Sequence, residues 1–159
     1  MNIKIICLGK LKETYLIEGI NEYSKRISKY ANLEIIELPD EPLPQSPSNK
    51  EIEIIKQKEA EKILKHIKAS DYVCCLDLSG KQLTSEEFAL KIQNITLNGY
   101  STIDFIIGGT AGIDKSIITR SDFSISFSKL TFPHQLIRLF LTEQLFRCFK
   151  ILNNEKYHW

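Results

Sequence analysis

Five short apolar runs, each followed by a turn or by helical spacing, constrain the fold of this chain more than any other feature. Ile3–Leu8, Leu33–Leu38, Asp71–Leu78, Ile103–Ile107 and Phe123–Phe127 read as strands. Runs of this length and apolarity, bounded by turn residues, suit strands buried on both faces. The stretches between them have another period. From Lys12 to about Tyr30 the apolar residues Tyr15, Leu16, Ile20, Tyr23 and Ile27 fall on one helical face. Ser48 or Asn49 can cap a charged amphipathic helix running to about Ile67. Thr84 or Ser85 opens another, with Glu86 and Glu87 in the favourable first turn. Ile113–Thr119 reads as a short helix, and Pro133 to about Leu152 as a long closing one. Residues 39–48 hold four of the five prolines, so neither helix nor central strand crosses them. Strands alternating with helices predict an α/β fold with a mostly parallel sheet flanked by helices. A length of 159 residues fits one domain spanning 1–159.

Composition removes several function classes. The formal net charge is +1, so no global basic surface invites nucleic acid; such a partner must meet a local patch. No apolar run reaches the roughly 18 residues of a membrane span, so no membrane partner is expected. The N-terminal run reads as a strand rather than a leader, which leaves the cytoplasm as the expected compartment. Cys7, Cys74, Cys75 and Cys148 lie in apolar strand or helix runs without Cys-x-x-Cys spacing. They read as buried, reduced thiols, and no metal is expected.

Three strand-to-loop junctions stand out. They are Leu76–Gly80, Ile106–Gly112 and Phe127–Phe132. In a parallel sheet the C-terminal strand ends share one edge, so all three can line one pocket. Their glycines let backbone approach a ligand, and exposed backbone donors and acceptors suit a heteroaromatic ring. Neither a dinucleotide fingerprint nor a P-loop is present. The third junction runs into the last helix and concentrates Lys129, Thr131, His134 and Arg138. Pro133 fits the first turn, with Thr131 or Phe132 supplying the N-cap region. His134 and Arg138, four residues apart, share one helix face. Leu136, Ile137, Leu139, Phe140, Leu141, Leu145, Phe146 and Phe149 make that helix apolar nearly all round. A helix of this kind wants cover on both sides, and a second copy in a two-fold homodimer supplies it.

Residues 9–13 (Gly-Lys-Leu-Lys-Glu), Phe105–Gly109 with Gly112, and Ser126–Arg138 resemble the RlmH family, and the resemblance extends along the whole chain to its closing Tyr157-His158. These are SPOUT-superfamily methyltransferases of large-subunit (23S) ribosomal RNA. The resemblance implies an α/β fold with a C-terminal SPOUT-type trefoil knot and a homodimer. It implies S-adenosylmethionine as methyl donor and N3 methylation of a pseudouridine in the assembled ribosome. Carried over by residue, the donor would lie against Leu76, Gly108, Phe127, Ser128, Lys129, Leu130, Thr131 and Phe132. The acceptor side falls to Lys129, His134 and Arg138. A neutral His can take the proton of the ring imide, and an Arg can stabilise the negative charge left on its carbonyl oxygens. Tyr157 and His158, following the apolar helix, are expected to complete the site across the dimer. Trp159 stands where related sequences often carry a basic residue. Lys10, Lys12 and Lys81 lie on loops able to meet phosphates. Two other classes compete: a nucleotide-binding α/β module using the Gly108-Gly109 loop, and a non-catalytic ribosome-associated dimer.

Overall fold

In the computed structural model, which describes residues 1–157, strands and helices alternate along the whole chain. The strands are β1 (Asn2–Leu8), β2 (Asn32–Leu38), β3 (Tyr72–Lys81), β4 (Thr102–Ile107) and β5 (Phe123–Ile125). The helices are α1 (Thr14–Ile27), α2 (Asn49–Leu64), α3 (Ser85–Leu97), α4 (Lys115–Arg120) and α5 (His134–Leu152). The five strands form one sheet in the order β2-β1-β4-β3-β5, and every neighbouring pair is parallel. Successive side chains on a strand face opposite ways, so the apolar runs feed two cores. Ile3, Ile5 and Cys7 of β1 join Ile103, Phe105 and Ile107 of β4 under α1, α3 and α5. Ile6 and Leu8 join Val73, Cys75 and Ile106 under α2 and α4, which contribute Ala60, Ile63 and Ile117. All four cysteines are buried among these apolar side chains.

Helix starts follow local chemistry. Ser48 caps α2 and Thr84 caps α3, each in a reciprocal capping box with Glu51 and Glu87. Three boundary differences from the sequence expectation bear on the sheet edge. The strand expected to end at Leu78 runs on to Lys81, because β5 pairs with it twice: Ile125 meets Leu76 and, across a bulge, Lys81. Gly80 permits this crossing, since a Cβ there would lie 2.6 Å from the backbone of Ile125. β5 itself stops at Ile125, after which the Ser126 N–H makes one more bond to the Lys81 carbonyl at 3.1 Å. Pro133 is the N-cap of α5 rather than its first-turn residue; its extended ψ of 135° keeps it out of the helix.

Candidate active site at the C-terminal sheet edge

The ends of β3, β4 and β5 enclose a cleft of about 220 Å³, open on one side. Each predicted junction supplies one wall. Leu76 and Asp77 come from β3, residues 107–109 with Gly112 and Ile113 from the β4 loop, and residues 125–128 and 130–132 from the β5 loop. The glycine loop is closed by the Gly112 N–H donating to the Gly109 carbonyl at 3.0 Å. Gly112 does this at φ +89°, a conformation that L side chains rarely adopt. The β5 loop is braced from within. The Ser126 hydroxyl donates to the Ser128 carbonyl at 2.9 Å, and the Leu130 N–H donates to the Ser128 hydroxyl at 3.0 Å. Loop backbone therefore faces the cleft between apolar walls.

Of the residues expected to hold the donor, Leu76, Gly108, Phe127, Ser128, Leu130, Thr131 and Phe132 all line this cleft. Lys129 is exposed and does not. Asp77, Ile113 and Ile137 line it as well, although the sequence reading did not single them out. Asp77 carries the clearest signal among them, an acid at a strand end within the first junction. Its carboxylate accepts the Ser79 N–H at 3.2 Å.

His134 and Arg138 share the first turns of α5 but point to different neighbours. His134 is half-buried and lines the cleft. Burial, and then the nearby Arg138 cation, hold its pKa below the ordinary imidazole value, against a smaller opposing pull from Asp40. It is thus neutral at neutral pH and able to accept a proton. Arg138 is fully buried and lies outside the cleft lining. Its guanidinium donates to the carbonyls of Leu8 and Gly9, the latter at 2.8 Å, and to Glu37 at 2.9 Å. Glu37 also accepts the Leu11 N–H at 3.1 Å. Arg138 therefore pins α5 to the ends of β1 and β2 and to the loop after β1.

Tyr157 lies outside the cleft of its own chain. Its hydroxyl donates to Glu143 at 3.2 Å and its ring packs edge-on against Phe146. His158 and Trp159 lie outside the described residues. A second cavity, of about 540 Å³, adjoins the cleft and shares Ile125, Phe127, Ser128 and Phe132 with it. Its far wall is Phe88 of α3 with Phe140, Glu143 and Gln144 of α5. Lys10, Lys12 and Lys81 are exposed, and the Lys12 N–H reaches Gln135 beside His134 at 3.4 Å. No cluster of three potential metal ligands exists among the described residues. None of their helices is long and apolar enough to cross a membrane.

A parallel α/β sheet with an apolar, glycine-walled cleft at the ends of its last strands defines a class, and the comparisons agree with it. The chain belongs to the SPOUT methyltransferase family: the model described as "Predicted SPOUT methyltransferase" matches residues 1–158. The "Ribosomal RNA large subunit methyltransferase H" of Clostridium botulinum (strain 657 / Type Ba4) is 54% identical over 158 residues, covering 99% of both chains. The Finegoldia magna protein of that name shows the same identity and coverage. A Methanococcus maripaludis protein that carries the name provisionally is 55% identical, again over 99% of both chains. Enzymes of this family use S-adenosylmethionine as methyl donor.

Proposed function

We propose that this chain methylates ring nitrogen 3 of a pseudouridine in large-subunit ribosomal RNA, acting as a homodimer on the assembled ribosome in the cytoplasm. The observation that carries the reading is the convergence of three sequence-distant junctions with His134 on one cleft. The cleft suits the donor. Leu76, Phe127 and Leu130 offer apolar faces to adenine, loop backbone offers directed groups to its edge, and the glycine loop leaves space that side chains would fill. The donor supplies an electrophilic methyl on a cationic sulfur. The chain supplies position and a base.

A uracil-type imide is a poor nucleophile until its proton leaves. His134, neutral and at the cleft, accepts that proton. Arg138 acts through His134: it fixes the first turns of α5 against the end of β1, and its cation adds to burial in lowering the imidazole's pKa. Lys129, Lys10 and Lys12, all exposed, are available to the acceptor's phosphates. A net charge of +1 is too small for strong binding to naked RNA, which favours a ribosome that supplies its own shape.

Dimerisation is supported by α5, whose Leu136, Leu139 and Phe140 stay only partly buried, beside an exposed Phe132. Tyr157, which lies outside the cleft of its own chain, is then a candidate to serve the cleft of the second copy. The C-terminal knot is typical of the SPOUT family to which the chain belongs.

The test is methyl transfer from labelled S-adenosylmethionine to intact ribosomes lacking the modification, with free ribosomal RNA and isolated subunits alongside. Label in a methylated pseudouridine from intact ribosomes is expected. Tight donor binding without transfer to any particle would discard the acceptor. Preference for a phosphate-bearing nucleotide over the donor would favour a binding module instead.

A further inference from the structure

One buried acid next to the cleft has no part in this chemistry. Glu59 of α2 is 3% exposed, rare for a carboxylate without a paired cation. One oxygen accepts the Glu41 N–H at 3.0 Å, from the proline-rich 39–48 loop. The other has no hydrogen-bond partner among the described residues. Both press on the glycine loop. A Cβ built on Gly109 would lie 3.3 Å from one carboxylate oxygen, 3.4 Å from the other, and 3.3 Å from the Leu8 side chain. Gly109 itself lines the cleft, so Glu59 sits one backbone thickness behind the wall.

Burial raises the pKa of Glu59, so the fold bears a cost that an apolar residue of similar size would spare it. The acid has no ligand of its own to hold: the cavity it shares with Lys56, Gly108 and Gly112 measures about 10 Å³, room for a water at most. The neighbouring Lys62 points elsewhere, to the Pro39 carbonyl at 2.8 Å and the Glu41 carboxylate at 2.6 Å, clamping the same loop from the same helix.

We propose that Glu59 is a positioning residue for the donor cleft, bridging the 39–48 loop to Gly109 and so setting the 108–112 loop in its binding geometry. This rests on the cleft being the donor site. The carboxyl supplies what a packed apolar side chain cannot, a fixed anchor in a second loop. Glycine at 109 is its counterpart, because a Cβ there would crowd both the carboxyl and the Leu8 side chain.

The experiment measures donor affinity by calorimetry, with thermal unfolding and methyl transfer at saturating donor, for Glu59→Leu, Glu59→Gln and Glu59→Asp. Glu59→Gln keeps size and an oxygen for Glu41, so its Kd should stay within threefold of the parent chain. Glu59→Leu keeps bulk and loses the anchor: Kd should rise tenfold or more while Tm holds and kcat changes less than threefold. Glu59→Asp, too short to reach both loops, should also weaken binding tenfold, and it decides the matter if the leucine variant does not fold. Leucine and aspartate variants binding within twofold of the parent would overturn the proposal alone. A parent chain that binds no donor would overturn both this role and the donor site.

Discussion

One sheet edge carries two regions built in opposite ways. At the ends of β1 and β2 the edge is closed: the buried Arg138 joins the carbonyls of Leu8 and Gly9 to Glu37. At the ends of β3, β4 and β5 the edge is open, walled by apolar side chains and glycine backbone. The same two turns of α5 serve both, with Arg138 in the closed half and His134 in the open half. Stability and chemistry are thereby separated by one helical turn. Rigidity comes from a buried cation tied to two carbonyls and a carboxylate, and reactivity from a group left free beside a cleft.

The largest effect should come from breaking the closed half. Arg138→Ala leaves Glu37 and two carbonyls without their cation, which costs about 3–5 kcal/mol as for other broken buried pairs. For a chain of this size that lowers Tm by roughly 10 °C. Thermal unfolding checks it, and an unchanged Tm would mean the clamp is idle. His134→Ala should do the reverse. Its imidazole makes no hydrogen bond described in the structure, so unfolding should hardly change. Methyl transfer should fall roughly 10²–10⁴-fold, the usual worth of a positioned base. A variant that loses stability in step with activity would erase the contrast.

Gly112→Ala probes the open wall. At φ +89° a side chain is strained by about 1–2 kcal/mol, and donor affinity should drop measurably in calorimetry. The smallest effect links the halves. The rate should fall with acid as His134 is protonated, through a pKa below the ordinary imidazole value. Arg138→Met removes a cation that holds this pKa down, so the acid limb should move to higher pH. A limb that stays in place would show that the two groups do not communicate.

A third cluster gives a control away from both regions. Lys4 of β1 pairs with Asp71 at 2.8 Å and Asp104 at 3.1 Å under the α2 face. Burial raises Asp104 to about 6, so the folded chain binds a proton that the unfolded chain has lost. The contribution of Asp104 to stability should therefore decline as pH rises from about 3.8 to about 6 and then level off, while Asp71 and other carboxylates with lowered pKa contribute in the opposite sense. Asp104→Asn should flatten that slope in denaturation curves without touching donor affinity.

Much of this was legible in the residues because it is local. Apolar runs with their turn residues marked each strand to within a few positions, and Ser48 and Thr84 carried their own capping partners. The meeting of three junctions followed from the rule that parallel strands end on one edge. What escaped was long-range. Gly80 looks like a turn, and only the second pairing of Ile125 makes it part of a strand. Helical spacing places His134 and Arg138 on one face, yet the carbonyls that draw the guanidinium away belong to Leu8 and Gly9 at the end of β1 and just after it, more than a hundred residues earlier. Glu59 reads as one more charge on a charged helix, and only the packed fold reveals it behind Gly109.

The most direct measurement is methyl transfer to intact ribosomes by the parent chain and by His134→Ala, with donor affinity measured on the same preparations. The account predicts equal donor binding and a rate lower by roughly two orders of magnitude or more in the variant. Equal rates would contradict it, because the open half of the edge would then hold no base.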